Sequence, residues 1–292
     1  MLEPMHARRP LAASLGRRGA LVLGGLALAA VAWFALGLTP AGLVPRGGGW
    51  RIARDLAAAA PRPALEAQGP DIPGADPFLA RVAAATLRTV VFAIAAMSLA
   101  LVAGAVLGFL SSSAWWSSSL SARKPRVLGR IAPAVQIAAR VIAAAIRSVH
   151  ELLWAVVFLA AFGLSTGAAV LALALPFAGT LAKVFSELFD EAPRTASAAL
   201  EAAGAGPVGA FVVGALPRAL PDVGAYAFYR FECAVRSAAI LGFFGFETLG
   251  YEIKLSFDNL HYREVWTLLY ALIALVLVLE AWSSSLRRRF VA

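Results

Sequence analysis

Apolar residues fall in long runs along this chain, and polar residues collect in the gaps. The first run is Ala20–Leu38, ALVLGGLALAAVAWFALGL. The second is Val82–Leu110, with Arg88 near its start, where a long side chain reaches toward a membrane surface. Further runs cover Thr166–Leu188, with Pro176 inside, then Pro221–Phe244 and Thr267–Trp282. About 20 apolar residues cross a bilayer as a helix. Helices satisfy their backbone polar groups within one segment, which lipid cannot do for them. The pattern predicts an all-α polytopic membrane protein with about six transmembrane helices.

One stretch, Ile131–Gly163, is mixed. Its first half carries Arg140 and reads as an amphipathic helix at the interface. Its second half, roughly Ala144–Gly163, reads as the crossing segment. Arg147-Ser148-Val149-His150-Glu151 interrupts it and predicts a kinked or partly unwound helix. Irregular backbone at membrane depth survives only under the cover of protein or of a water-filled cavity.

The gaps set the topology. Arg8, Arg9, Arg17 and Arg18 precede the first run, and Arg123, Lys124, Arg126 and Arg130 follow the second, with Trp115 and Trp116 as interfacial anchors. Basic loops stay inside. Residues 1–19 therefore read as a cytoplasmic tail, 20–38 as an uncleaved first span and 39–81 as an outer loop rich in Pro and Gly, with a short interfacial helix near Trp50–Ala60. Residues 82–292 form the remaining core, and both termini face the cytoplasm. The first run exceeds the h-region of a cleaved signal, about 7–15 residues.

Composition agrees. The chain of 292 residues is 60% hydrophobic and only 15% charged, with mean hydropathy +0.76. Soluble domains carry about 25% charged residues. The net charge of +9 fits inner loops and anionic headgroups, and no nucleic-acid motif accompanies it. One cysteine and three scattered histidines leave no metal site and no disulfide. No glycine precedes Lys124, Lys183 or Lys254, so the phosphate-cradling Gly-Lys-Ser/Thr of an ATP site is absent. No nucleophile cluster suggests an enzyme.

Charges inside the spans are the candidate translocation path or gate. They are Arg147, His150 and Glu151, then Lys183 and Glu187, then Arg230, Glu232 and Arg236. A charge at mid-bilayer costs about 2.5–3.5 kcal/mol, so these groups face a cavity or one another. Glu232 and Arg236 are spaced to pair across one helical turn. Stapling of helices is the competing role for the same residues.

Residues 190–218 interrupt the membrane pattern. EAPRTASAALEAA favours a helix, Gly204-Ala205-Gly206 ends it, and Pro207 starts a second. Pro217 and Pro221 are expected to stop that second helix before the next span. The product is a compact, small-residue helix–turn–helix on the cytoplasmic side.

This segment resembles the cytoplasmic EAA loop of binding-protein-dependent ABC importer permeases. That pattern runs Glu-Ala-Ala, three residues, Gly, nine residues, Ile, one residue, Leu-Pro. Gly204 and Leu216-Pro217 hold the spacing. Ala198-Ala199-Leu200 then occupy the Glu-Ala-Ala register, the literal Glu201-Ala202-Ala203 lies three residues later, and Gly214 stands at the Ile. Arg147, Ser148, Glu151 and Trp154, then Lys183, Phe185 and Glu187, then Tyr229-Arg230-Phe231-Glu232 with Val235-Arg236 look like the phosphonate-type members. His150 stands for a proline, and Phe246–Leu249 for a glycine-rich run, both expected toward the translocation side.

The resemblance implies a type I ABC importer permease fold in the bacterial inner membrane. It implies ATP-driven inward transport of a small solute, a phosphonate or related oxyanion. The implied partners are ABC ATPase subunits, a second permease subunit (a copy of this chain or a paralogue), an outer solute-binding protein and membrane lipid. ATP and Mg would belong to the ATPase, with no cofactor in this chain. The ATPase would dock on Ala198, Glu201, Gly204, Ala205, Gly206, Leu216 and Pro217. The alternatives are a different small solute, or a secondary transporter or channel built on the intramembrane charges.

Overall fold

The computed structural model describes residues 16–42, 44–69, 76–114 and 126–291. Most of the N-terminal tail and the basic loop bearing Trp115, Trp116, Arg123 and Lys124 lie outside the described residues. All regular structure among the described residues is helical.

The chain folds as two units, Met1–Ala57 and Ala58–Ala292. In the first, α1 (Arg17–Ala35) has 19 residues, about 28 Å of helix, against a hydrocarbon thickness of about 30 Å. Leu21, Val22, Leu23, Leu26 and Leu28 are all exposed on it, and its apolar part, Gly19–Ala35, is shorter than the spanning helices of the second unit. The short helix expected near Trp50 is α2 (Gly49–Ala59), with Trp50 and Ile52 interleaved with Arg51, Arg54 and Asp55.

The second unit holds five helices long and apolar enough to cross a membrane. They are built from α3 (Phe78–Ser111), α4 (Arg126–Ser148), α6 (Thr166–Glu191), α9 (Leu216–Ile240) with its N-terminal extension, and α11 (Tyr262–Val291). Between them lie α5 (Glu151–Phe162), α7 (Thr195–Ala202), α8 (Pro207–Ala210) and α10 (Leu249–Asp258). Helix α6 is central. In it 67% of the apolar window is buried, against 28% in α3.

Small residues permit this packing. Lipid tails are as apolar as Leu, so helices associate by close van der Waals fit rather than by escape from water. A Cβ on Gly104 would sit 2.7 Å from Leu181 Cβ, and one on Gly108 2.9 Å from Phe185 Cβ. This Gly-x-x-x-Gly pair lets α3 lie directly on α6. A Cβ on Gly179 would meet the Ala143 carbonyl oxygen at 2.8 Å, which fixes where α4 crosses α6.

The structure corrects three expectations. First, the part of the mixed stretch long and apolar enough to cross a membrane is its first half. Helix α4 from Ile131 to Ser148 has spanning length and composition, while α5 has 12 residues, about 18 Å. The expected break does fall there, at Val149-His150. His150 caps α5 by accepting the Leu152 amide on Nδ1 at 3.3 Å. Second, Pro217 and Pro221 do not end a helix. Pro207 to Phe244 is one continuous helical stretch, with a π-turn at Phe211–Ala215 in which the Leu216 amide donates to Phe211 O. The widened turn relieves the clash between the Pro217 ring and the carbonyl four residues back. Third, the departures at 246–249 are packing residues of this unit, three of the four being buried. Phe246, Thr248 and Leu249 are buried. Phe246 meets Phe92 edge-on at 6.2 Å, and the Leu249 amide donates to Thr89 Oγ1 at 3.0 Å. Only Glu247 is exposed, paired with Arg88.

At that end of the helices, a strap formed by residues 60–69 crosses the start of α11. Ala64 O accepts from Thr267 Oγ1 at 2.6 Å, and Ala60 O from Tyr270 Oη at 2.8 Å. Gln68 and Glu264 exchange backbone-to-side-chain hydrogen bonds. Glu264, 4% exposed, also accepts from Ser256 Oγ at 2.9 Å.

Candidate functional site: a helical hairpin and a charged cavity

The hairpin at 195–217 follows from its sequence one hydrogen bond at a time. Gly204 takes the left-handed conformation, φ +96°, which costs glycine nothing. Its amide donates to Glu201 O at 3.0 Å, and the Ala205 amide to Leu200 O at 2.9 Å. These two bonds are a Schellman stop, in which the last carbonyls of α7 are satisfied by the turn. Gly206 then caps α8, with Pro207 at its first turn. The Gly-Ala-Gly-Pro reading is met.

The return of the chain rests on a contact that the sequence pattern did not reveal. A Cβ on Gly214 would lie 2.7 Å from Ser197 N and 2.8 Å from Ser197 Cα. Helix α7 therefore sits directly on the π-turn, and only glycine leaves room for it. Arg218 Nη1 donates to Thr195 Oγ1 at 2.9 Å and ties the base of the hairpin. Phe211 in the π-turn is buried and stacks toward Phe109 at 5.1 Å and Phe189 at 5.3 Å. The hairpin is thus welded to α3 and α6. Its other face is open: Ala198, Ala205, Gly206 and Pro217 are exposed, while Glu201 and Leu216 are half-buried. Val208, Val212 and Val213 add apolar surface, with Val213 at 67% exposure.

The eight intramembrane charges divide among three places. Arg147, Lys183 and Glu187 meet in one cavity of about 410 Å³ with Ser111, Arg140, Ser186 and Asp190. Lys183 pairs with Glu187. Asp190 Oδ1 accepts from Ser112 Oγ at 2.6 Å and from the amides of Ser113 and Ala114 at 2.7 and 2.9 Å. Arg140 Nε donates to Ser111 O at 2.9 Å, closing the end of α3. Lys183, Glu187 and Asp190 sit at i, i+4 and i+7, one helical face, so Asp190 was legible as their neighbour.

His150 and Glu151 lie at the start of α5, apart from that cavity's lining. His150 Nε2 stands 3.6 Å from Glu151 Oε2, and Glu151 Oε1 accepts from Ser237 Oγ of α9 at 2.8 Å. The break in the helix is therefore bonded across to α9. On α9 itself, Arg230 donates to Tyr226 Oη at 2.7 Å and lies over the rings of Tyr226 and Tyr229. Glu232 is buried, and Arg236 donates to Cys233 Sγ at 3.5 Å. Nothing in the sequence pointed to Ser237, which lies 86 positions from its partner.

The chain that builds this hairpin between two long spans matches a known family model. The model for "binding-protein-dependent transport system inner membrane component" covers residues 126–291. The chain belongs to this family. It is a multi-pass permease subunit of the inner membrane. A phosphite transport system permease protein, PtxC of Stutzerimonas stutzeri, is 30% identical over 225 residues, 77% of this chain and 75% of that protein. A phosphate-import permease protein, PhnE of Mycolicibacterium smegmatis, is 26% identical over 209 residues, 72% of this chain and 37% of the other. Among solved structures, the MetNI methionine ABC transporter in inward-facing form aligns with TM-score 0.59 at 20% identity, over 73% of this chain and 97% of that one. An amino acid ABC transporter aligns with the same score at 16% identity, covering 73% and 95%. These likenesses show the ABC importer permease fold.

Proposed function

We propose that this permease carries a small phosphorus oxyanion, of the phosphite or phosphonate type, inward under the drive of a separate ATPase. The likeness to the phosphite permease over three quarters of both chains carries the choice of solute. The exposed, nearly uncharged face of the hairpin supports docking of the ATPase: Ala198, Ala205, Val208 and Val212 let a partner backbone come close without desolvating charge. In this reading the hairpin and both termini face the cytoplasm, ATP and Mg bind the ATPase, and a solute-binding protein delivers from outside. A second permease subunit, a copy or a paralogue, completes the path. In this reading Glu151, hydrogen-bonded to Ser237, and Arg230 of α9 line it.

The test is stimulation of ATP hydrolysis. The chain is co-expressed with a candidate ABC ATPase and a candidate solute-binding protein and reconstituted in liposomes. Phosphite- or methylphosphonate-loaded binding protein should raise hydrolysis, and methionine should not. Hydrolysis that ignores every phosphorus oxyanion refutes the solute assignment, and failure of the chain to hold any ATPase refutes the docking.

A further inference from the structure

The cavity among α3, α4 and α6 holds more hydrogen-bond donors than its own acceptors use. Its two carboxylates are committed. Asp190 Oδ1 takes three donors, and its Oδ2 stands 3.8 Å from Arg140 Nη2. Glu187 pairs with Lys183. Arg147 lines the same cavity, and its guanidinium makes no hydrogen bond or ion pair among the described residues. Ser111, also in the wall, is 2% exposed, and its hydroxyl has no hydrogen-bond partner among them. Three cations therefore face two carboxylates across about 410 Å³, and the unspent capacity is a five-donor guanidinium and a buried hydroxyl. A guanidinium fork matches two oxygens of one anion.

We propose that this cavity binds a tetrahedral phosphorus oxyanion at the hairpin end of the bundle. Arg147 of α4 forks two of its oxygens, Lys183 of α6 supplies the second charge, and Ser111 of α3 donates to a third oxygen. Lys183 meets the anion by loosening from Glu187, an exposed partner. The occupant thus ties α4 to α3 and α6, the two helices on which Phe211 of the hairpin packs. The choice of phosphorus rests on the proposed function, whereas the anion site rests on the donor surplus alone. The same chemistry is presented by a free oxyanion and by the phosphate of a phospholipid headgroup.

The full chain, without ATPase or binding protein, is placed in nanodiscs of phosphatidylcholine alone or with added phosphatidic acid. Binding of radiolabelled inorganic phosphate is measured, with unlabelled phosphite and sulfate as competitors, and retained lipid is read by native mass spectrometry. Wild type should bind saturably. Arg147→Gln should weaken binding about tenfold or more, Arg147→Lys less, and Ser111→Ala by about threefold or more. Displacement by phosphite but not by phosphatidic acid identifies a free solute. One phosphatidic acid retained by wild type and lost in Arg147→Gln, with no phosphate bound, identifies a headgroup. Either result upholds the site. No binding of either probe to helical, monodisperse protein overturns it, as does binding that is equal in all variants. Sulfate competing as well as phosphite overturns the assignment to phosphorus, while the transport reading is judged separately by ATP hydrolysis.

Discussion

Replacement of Gly214 by alanine adds one methyl group where two backbones touch. That methyl would lie 2.7 Å from Ser197 N, 2.8 Å from Ser197 Cα and 3.1 Å from Ala196 C, and ordinary contact begins at 3.4 Å. All three atoms are backbone, so no side chain can swing aside. Helix α7 must lift by about 0.7 Å or α9 must twist. Overpacking of this kind costs about 1–3 kcal/mol. The eight residues of α7 are too few to resist, so the displacement falls on the hairpin and leaves the bundle folded. The proposed docking face moves with it. The reconstituted transporter should hydrolyse ATP while moving less solute per ATP, and the isolated chain should melt at a lower temperature. Gly209→Ala is the control, since nothing lies within 4 Å of its Cβ position and alanine favours a helix by up to about 1 kcal/mol. If Gly214→Ala and Gly209→Ala give the same melting temperature and the same solute-to-ATP ratio, the hairpin is not held as described.

Three further outcomes follow from the same geometry. Val213→Asp places a charge on a 67% exposed position; melting should shift by no more than about 0.5 kcal/mol, while co-purification of the ATPase is lost. Gly104→Ile drives a branched side chain into Leu181, whose Cβ would be only 2.7 Å from the new Cβ; the α3–α6 contact should open at a cost of about 1–3 kcal/mol, seen as a lower melting temperature in detergent. Glu264→Ala removes the acceptor for Gln68 and Ser256; leaving such donors unpaired costs about 1–3 kcal/mol, and limited proteolysis should cut within residues 60–69 before the helices.

Local chemistry in the sequence carried the turns. Gly204-Ala205-Gly206-Pro207 encodes a helix stop and a helix start within four residues, and the structure shows both. Arg147 to Glu151 encodes a break, because a cluster of polar groups competes with helix bonds at membrane depth. Two prolines misled in the other direction. Pro217 forbids an α-helix only if the preceding turn is a regular one, and the π-turn at 211–215 is set by the seat of Gly214 on Ser197, a contact between segments. The same holds for the mixed stretch. Its charges suggested an interfacial helix, yet Arg140 and Arg147 line a cavity against α6. Long-range pairs such as Glu151 with Ser237 have no signature at either residue. The Gly-x-x-x-Gly at 104–108 did have one, and its spacing is the plain mark of a close helix crossing.

Uptake tests the central claim most directly. Proteoliposomes holding this chain and its ATPase, with the binding protein outside and ATP inside, should accumulate radiolabelled phosphite, and omission of ATP, binding protein or ATPase should each abolish it. Accumulation by the chain alone in ATP-free liposomes would contradict the account.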